Sequence, residues 1–307
     1  MNTMTQQRGV ALLTALLIVA ILTTVTVMLS WDQMLAIRRS QDLIEQDQAR
    51  QLCLGAEAWA AQTLAKTARQ QVVDLQQPWA QPMPTIPIDG GEVTGSLRDL
   101  QGRFNLNNLV SGNKVVGVSQ QRFNRLLQRV KLPIDLSDAV IDWIDPNDIP
   151  RATGGAEDGF YMGRLPPYRA ANMPLLSTSS LRLVRGFGAQ AYAVISPWVT
   201  TLPPGTSINL NTAPEMVLST LGLSADQVTA IIKLRDKYPF KSLATFLANP
   251  ILQGQKINSS RLSVRSQFFL LRAEAHLGKT QTILYSVLRV ENPDKVKVVM
   301  RSWNTSP

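Results

Sequence analysis

The stretch DWIDPNDIPRATGGAEDGFY, residues 142–161, concentrates the groups of this sequence that could do chemistry. Asp142, Asp145, Asn147 and Asp148 precede a loop rich in proline and glycine, and Glu157 and Asp158 follow it. From Asp135 to Asp158 there are seven acids and one base, Arg151, in a chain whose net charge is +9. Carboxylates crowded in this way repel one another unless a positive charge lies between them. Hard oxygen donors, flexible glycines and the lack of sulfur or imidazole suit calcium, which takes about six to eight oxygens from carboxylates, amides and backbone carbonyls. The side chains expected as ligands are Asp145, Asn147, Glu157 and Asp158, with Asp142 instead capping contacts of the preceding helix. The loop is not an EF-hand, because Pro150 stands at the sixth position, where that motif needs glycine, and Glu157 comes one place late. The plain alternative is an acidic loop solvated by water and indifferent to metal.

Elsewhere the chemistry is sparse. With one cysteine, Cys53, and one histidine, His276, the chain forms no intramolecular disulfide and no tetrahedral zinc site. No Walker loop, nucleophile elbow or metalloprotease helix occurs, and His276 beside its HLGK turn reads as a turn or surface residue. An enzyme is not expected. The string NLNTAPEMVLSTLGLSADQVTAIIKLRDKYPFKSLATFL resembles a helix-hairpin-helix unit of competence DNA receptors. It lies in a basic part of the chain, with thirteen bases against six acids from Thr201 to the end. Such hairpins bind phosphate through backbone N–H groups in a glycine–apolar–glycine turn. Here the turn is Gly222-Leu223-Ser224, with serine in place of the second glycine. The alternative function is therefore a membrane-anchored DNA-binding protein of a competence or DNA-uptake system; on the structural reading of the hairpin, no nucleic acid partner is expected.

The elements that must position these groups begin with an apolar run. Val10 to Leu29 contains no charged residue, and at ~1.5 Å per helical residue it spans ~30 Å, the thickness of a bilayer's hydrocarbon core. It lacks the small-residue cleavage pattern of a secretory signal, so it is expected to stay as a single-pass anchor. Arg8 ahead of it favours a cytoplasmic N-terminus and an exported remainder. No glycine or proline interrupts Trp31 to Gly55, and Leu35, Leu43, Ile44, Leu52, Cys53, Ala56, Ala60 and Leu64 recur near helical spacing. QQPWAQPMPTIPIDGG then reads as a linker, and GEVTGSLRDLQGRF as a strand. Helices broken by prolines and polar turns fill Asn105 to about Ser260. SVRSQFFLLRAEAHL, TQTILYSVLRVE and VKVVMRSW form a three-strand meander. An internal repeat, RFNLNNLV and SINLNTAP, reads as two asparagine-capped helices.

A very short leader ending in Arg8-Gly9, an uncleaved apolar helix extended by an amphipathic one, and then a sheet make a plan that resembles type IV pilins and pseudopilins. The resemblance implies that prepilin peptidase cuts between Gly9 and Val10, leaving the helix in the mature protein. The family usually carries glutamate as the fifth mature residue, and that position here is Thr14. A carboxylate in a bilayer is costly unless paired. A subunit without it gives up a pairing with its neighbour's N-terminal amine, which suits a subunit with no neighbour beyond it.

The strings GRFNLNNLV, AVIDWIDPNDIP, GAEDGFY, YRAAN, INLNTAPEMVL and SQFFLLRAE narrow the likeness to the general secretion pathway protein K family, the large minor pseudopilins of type II secretion. It implies an α+β fold, a pilin-like long N-terminal helix plus antiparallel sheet, with a large inserted α-helical domain. The divisions expected are a leader at 1–9, a transmembrane helix at 10–29, its periplasmic continuation at 30–77, a linker and first strand at 78–102, an insert at 103–260 in two SAM-like or helix-hairpin-helix-like parts, and a β-meander at 261–307. The resemblance further implies a place at the pseudopilus tip with minor pseudopilins I and J and other pseudopilins, in the inner membrane with the bulk periplasmic. There the protein would nucleate or cap assembly for export of folded proteins across the outer membrane. Family members matching the acidic string bind calcium in the insert, so a structural calcium is implied here too.

Overall fold

The computed structural model describes residues 7–306. Of the expected leader, residues 1–6 lie outside the described residues. Helix α1 runs unbroken from Gln7 to Ala68. Its first half contains the one stretch among the described residues that is long and apolar enough to cross a membrane. The threonines within it are compatible with lipid because Thr23, Thr24 and Thr26 each donate their hydroxyl to the carbonyl four residues back. Residues 69–77, expected to continue the helix, leave it, because the Val73 N–H is taken by the Val264 carbonyl at 2.9 Å.

A stripe of small residues, Ala49, Cys53, Ala56, Ala60 and then Leu64, lays the second half of α1 on a sheet. The sheet answers with Ala273 and Ala275, both fully buried, so that helix and sheet backbones approach closely. The strands are β1 (Met83–Ile88), β2 (Gly91–Asp99), β3 (Phe268–Leu277), β4 (Thr280–Asn292) and β5 (Lys295–Trp303), ordered 1-2-3-4-5 and antiparallel throughout. Along β3 and β4 alternate residues are buried, as expected for a sheet with one covered face. The segment MPTIPI, read as part of a linker, is β1. Its prolines are tolerated because β1 is an edge strand, and Pro84 falls where the pairing is irregular, between Met83 and Ile86.

The chain between β2 and β3 forms the helical insert, yet these two strands are neighbours, with Asp99 opposite Phe269. The insert therefore leaves and re-enters the sheet at one point. That point is remote from the membrane anchor. Glu45 of α1 meets Thr280 beside the β3–β4 turn, while Arg69, at the far end, meets Asp294 in the β4–β5 turn, near which Phe268 pairs with Arg289.

Within the insert lie α2 (Gly117–Arg129), α3 (Leu136–Ile144), α4 (Asp158–Tyr161), α5 (Ala189–Ile195), α6 (Glu215–Leu218), α7 (Ala225–Lys237) and α8 (Leu243–Leu247). One continuous core from Phe104 to Val264 unites them. The repeated Asn-Leu-Asn strings are not caps of α-helices, as the sequence reading had them. In each, the first asparagine accepts from the N–H of the second: Asn107 onto Asn105, and Asn211 onto Asn209. The second asparagine then clasps the backbone of a distant loop. Asn107 takes both the N–H and the carbonyl of Leu175, and Asn211 those of Phe240. Each string also opens a short parallel pairing, Phe104–Asn105 with Val199–Thr200 and Ile208–Asn209 with Leu262–Ser263. The repeat is a structural clasp used twice.

Asp99 fastens the insert to the sheet. Its buried carboxylate accepts from the Gln101 N–H, from the Thr212 and Ser266 hydroxyls, and from the Asn209 amide. The same amide reaches the Val73 carbonyl after α1. Burial pushes the Asp99 carboxyl up against the pull of these four donors.

Candidate functional site

The acidic loop is held between α3 and α4. Trp143 and Tyr161 pack edge to face at 5.0 Å and fix the two helices to one another. Between them the chain doubles back on α3, and glycine is what permits it. A Cβ on Gly155 would stand 2.1 Å from Asp142 Oδ2 and 2.4 Å from the Arg151 nitrogen, and one on Gly154 would stand 2.4 Å from the Asp135 carbonyl. These glycines, expected to lend flexibility, serve close approach instead.

Asp142 is fully buried. Its Oδ2 accepts from the Arg151 N–H at 3.0 Å, and its Oδ1 has no partner. Asp145 ends α3, is buried, and accepts from both the backbone N–H (3.2 Å) and the side-chain amide (2.6 Å) of Asn147. Asn147 turns its own carbonyl oxygen to the Ile149 N–H. Glu157, ahead of α4, is 5% exposed, and neither of its carboxylate oxygens has a hydrogen-bond partner. Burial, reinforced by Asp142, Asp145, Asp148 and Asp158, pushes its carboxyl up to about 8. Burial and Asp145 likewise push Asp142 up to about 6. Ionised Glu157 therefore works against folding unless a cation offsets its charge.

Of the expected ligands, Asp145 and Glu157 are thus both buried, and their charges act on one another. Asp158 faces the other way, accepting from the Ala170 N–H at 2.9 Å and lying 3.6 Å from Arg169. Asn147 is occupied within its own turn. Sequence reading gave Asp142 a capping role, whereas its unpartnered Oδ1 belongs with Glu157. Asn172 was missed: its amide nitrogen donates to Asp148 at 2.7 Å, and its buried Oδ1 has no partner. Among the described residues no group of three or more His, Cys, Asp or Glu converges tightly enough to hold a metal. Three of the orphaned oxygens belong to Asp142 and Glu157, carboxylates whose charges act on one another, and hard oxygens of this kind are what a cation would satisfy.

The second candidate, the hairpin, carries an ordinary helix cap at its turn. Ser224 and Gln227 form a reciprocal capping box that uses the N–H groups of these two residues. Gly222 has φ +89°, and the Arg125 guanidinium, bonded to the Thr220 carbonyl, lies 3.1 Å from where its Cβ would be. His276 lies in β3, 3.0 Å from Glu274. At the other end of the chain, Gly9 and Val10 lie in the first turns of α1, and the Thr14 hydroxyl donates to the Ala11 carbonyl at 2.9 Å.

Residues 102–204 and 208–265 match the two families described as Type II secretion system (T2SS), protein K. Across nearly its full length the chain is 34% identical to Type II secretion system protein K of Pseudomonas aeruginosa, covering 96% of this chain and 92% of that protein. The chain belongs to the type II secretion system protein K family. The protein K of Aeromonas hydrophila is 32% identical, with 97% of each chain covered. The same fold occurs in the crystal structure of the GspK-GspI-GspJ complex from the enterotoxigenic Escherichia coli type 2 secretion system. There the TM-score is 0.78 at 26% identity, over 87% of this chain and 100% of that one. A protein K of this family is a minor pseudopilin, and α1 supplies its membrane anchor. The break between the two matched regions, at residues 205–207, falls just ahead of the second Asn-Leu-Asn clasp.

Proposed function

We propose that this protein K caps or nucleates the pseudopilus tip with minor pseudopilins of the I and J type, so that the assembly exports folded proteins across the outer membrane. What carries the reading is that its structural counterpart was solved in complex with GspI and GspJ. The surface of α1 fits such a role. Leu35, Ile37, Leu43 and Ile44 are exposed along the helix ahead of the stripe that packs on this chain's own sheet, leaving apolar side chains on several sides of it for neighbouring helices. The insert, at the end of the sheet remote from the anchor, would obstruct another subunit stacking above it. Thr14 points the same way, since it bonds its own helix and offers no carboxylate to a neighbour's amine. The anchor would cross the inner membrane once, with the N-terminus cytoplasmic and the bulk periplasmic.

Calcium, in this reading, is a structural cofactor of the insert. Asp142, Asp145 and Glu157 would supply carboxylate oxygens, with Asn147, Asp158 and Asn172 at the margin. The ion would neutralise a pocket that repels itself and so brace the loop between α3 and α4.

Co-expression with the I- and J-type pseudopilins of the same system should yield a ternary complex on purification from membranes. Labelled protein K should lie at one end of isolated pseudopili. Distribution along the filament, in numbers like the major subunit, would refute the tip placement. Strongly salt-dependent binding to duplex DNA would instead favour the DNA-uptake reading.

A further inference from the structure

We propose that a cleft on the insert, between residues 160–168 and 182–188, docks an acidic protein segment that carries an apolar side chain. The cleft measures about 280 Å³, and three arginines line it: Arg164, Arg182 and Arg185. Two of them share one ring. The guanidinium carbon of Arg164 lies 4.5 Å from the centroid of Phe160, and that of Arg185 lies 5.1 Å from it. A guanidinium stacked on a ring keeps its in-plane N–H donors free, and that fork matches a carboxylate.

All three arginines are exposed, and among the described residues none of them forms an ion pair. The local sequence gives them none to form. From Gly159 to Pro214 there are four arginines and no acid, directly after the acidic island. Three unneutralised cations converging on one cleft is a charge arrangement that a partner's carboxylates would complete.

The cleft is also built, not floppy. The Tyr168 hydroxyl donates to the Leu183 carbonyl at 2.8 Å, the Arg185 N–H donates to the Tyr161 hydroxyl at 3.2 Å, and the Arg185 guanidinium donates to the Gly155 carbonyl at 2.8 Å. Its rim presents Leu165, 97% exposed, and Leu183, 49% exposed. An apolar rim beside a compact cluster of three charges suits a peptide with alternating acid and apolar character. Nucleic acid would want a longer basic track, and an anionic bilayer a broader one.

The test uses the full-length protein in nanodiscs of zwitterionic lipid with excess calcium. The probe is a fluorescein-labelled peptide with Leu-Phe flanked on each side by two glutamates, followed by anisotropy. Saturable binding is expected, weakened at least about tenfold when glutamine replaces the glutamates, a change of ~1.4 kcal/mol. The double variant Arg164→Gln/Arg182→Gln should weaken it as much, with the melting temperature lowered by no more than a few degrees, since among the described residues neither side chain makes a hydrogen bond and Arg164 loses only its stacking on Phe160. Leu165→Ser, at a position that buries nothing, should weaken it several-fold. The proposal is overturned by any of several results: no saturable binding, equal binding by the double variant, or equal binding of an all-glutamate peptide without the apolar pair. Displacement of the peptide by duplex DNA or by phosphatidylglycerol vesicles at lower concentration than by unlabelled peptide would also overturn it.

Discussion

Arg301, on the last strand, closes on Glu57, in the middle of the long helix, with two hydrogen bonds of 2.9 and 2.7 Å. The Ser286 hydroxyl bonds the same carboxylate from β4. The acid is buried inside the small-residue stripe of α1, whereas Arg301 is half exposed, so water screens the pair from one side only. This contact ties the edge strand β5 to the helix that carries the membrane anchor.

Burial pushes the Glu57 carboxyl up, but the bonds from Arg301 and Ser286 outweigh it and hold it below its usual value. A depressed acid adds stability above its unfolded value and loses it as pH falls through the folded one. Glu57→Gln should therefore cost about 1–2 kcal/mol at neutral pH, allowing for the exposed side of Arg301, and the cost should shrink in acid. Urea unfolding of the protein without residues 1–30, run across acidic pH, checks this. A cost that stays constant with pH would show that the ionised pair is not the source.

Glu157 has the opposite sign. Its folded form holds a proton up to about 8, while the unfolded chain releases it near 4.5, so metal-free protein should lose stability as pH rises across that window. Calcium should raise the melting temperature, increasingly so at higher pH, and chelator should reverse it. Glu157→Gln should flatten the pH dependence and abolish the calcium response together. Melting curves of stripped protein that ignore calcium would mean a solvated loop.

Asn107 and Asn211 should be equivalent in kind and different in depth. Asn107 bonds the Leu202 carbonyl as well as Leu175, whereas Asn211 holds Phe240 alone through its side-chain amide. Alanine at either strands buried backbone groups, at about 2–4 kcal/mol, with the larger loss at Asn107. Equilibrium unfolding of the two variants decides it, and a loss below about 1 kcal/mol at either would show that water replaces the clasp.

Processing is the simplest prediction to check. Membrane-extracted protein should begin at Val10, by N-terminal sequencing or intact mass. Gly9→Leu should leave the chain uncut, because a bulky side chain would block the backbone from the peptidase site. An intact Met1 in the wild-type protein, or a start after Ser30, would refute processing by prepilin peptidase.

The sequence by itself determined the parts whose signal is local. An uncharged run of twenty residues reads as a helix long enough to cross a membrane, and the alternation in FFLLRAEAHL and TILYSVLRVE declares strands with one covered face. The crowding of acids around Pro146 and Pro150 was legible for the same reason, since like charges adjacent in sequence are adjacent in space. Tertiary structure alone decided what depends on partners far along the chain. Nothing local makes the proline-rich MPTIPI a strand; the free edge of β2 does, by supplying a ladder that takes up Pro84 at the irregularity between Met83 and Ile86. Nothing in Asn-Leu-Asn distinguishes a helix cap from a clasp until Leu175 and Phe240 are brought against it. Within the acidic loop, spacing could not tell Asp142 from Asp158. The fold decided that, burying one carboxylate with an oxygen left unpartnered and turning the other outward to Ala170 and Arg169, because burial and direction are properties of packing and not of order along the chain.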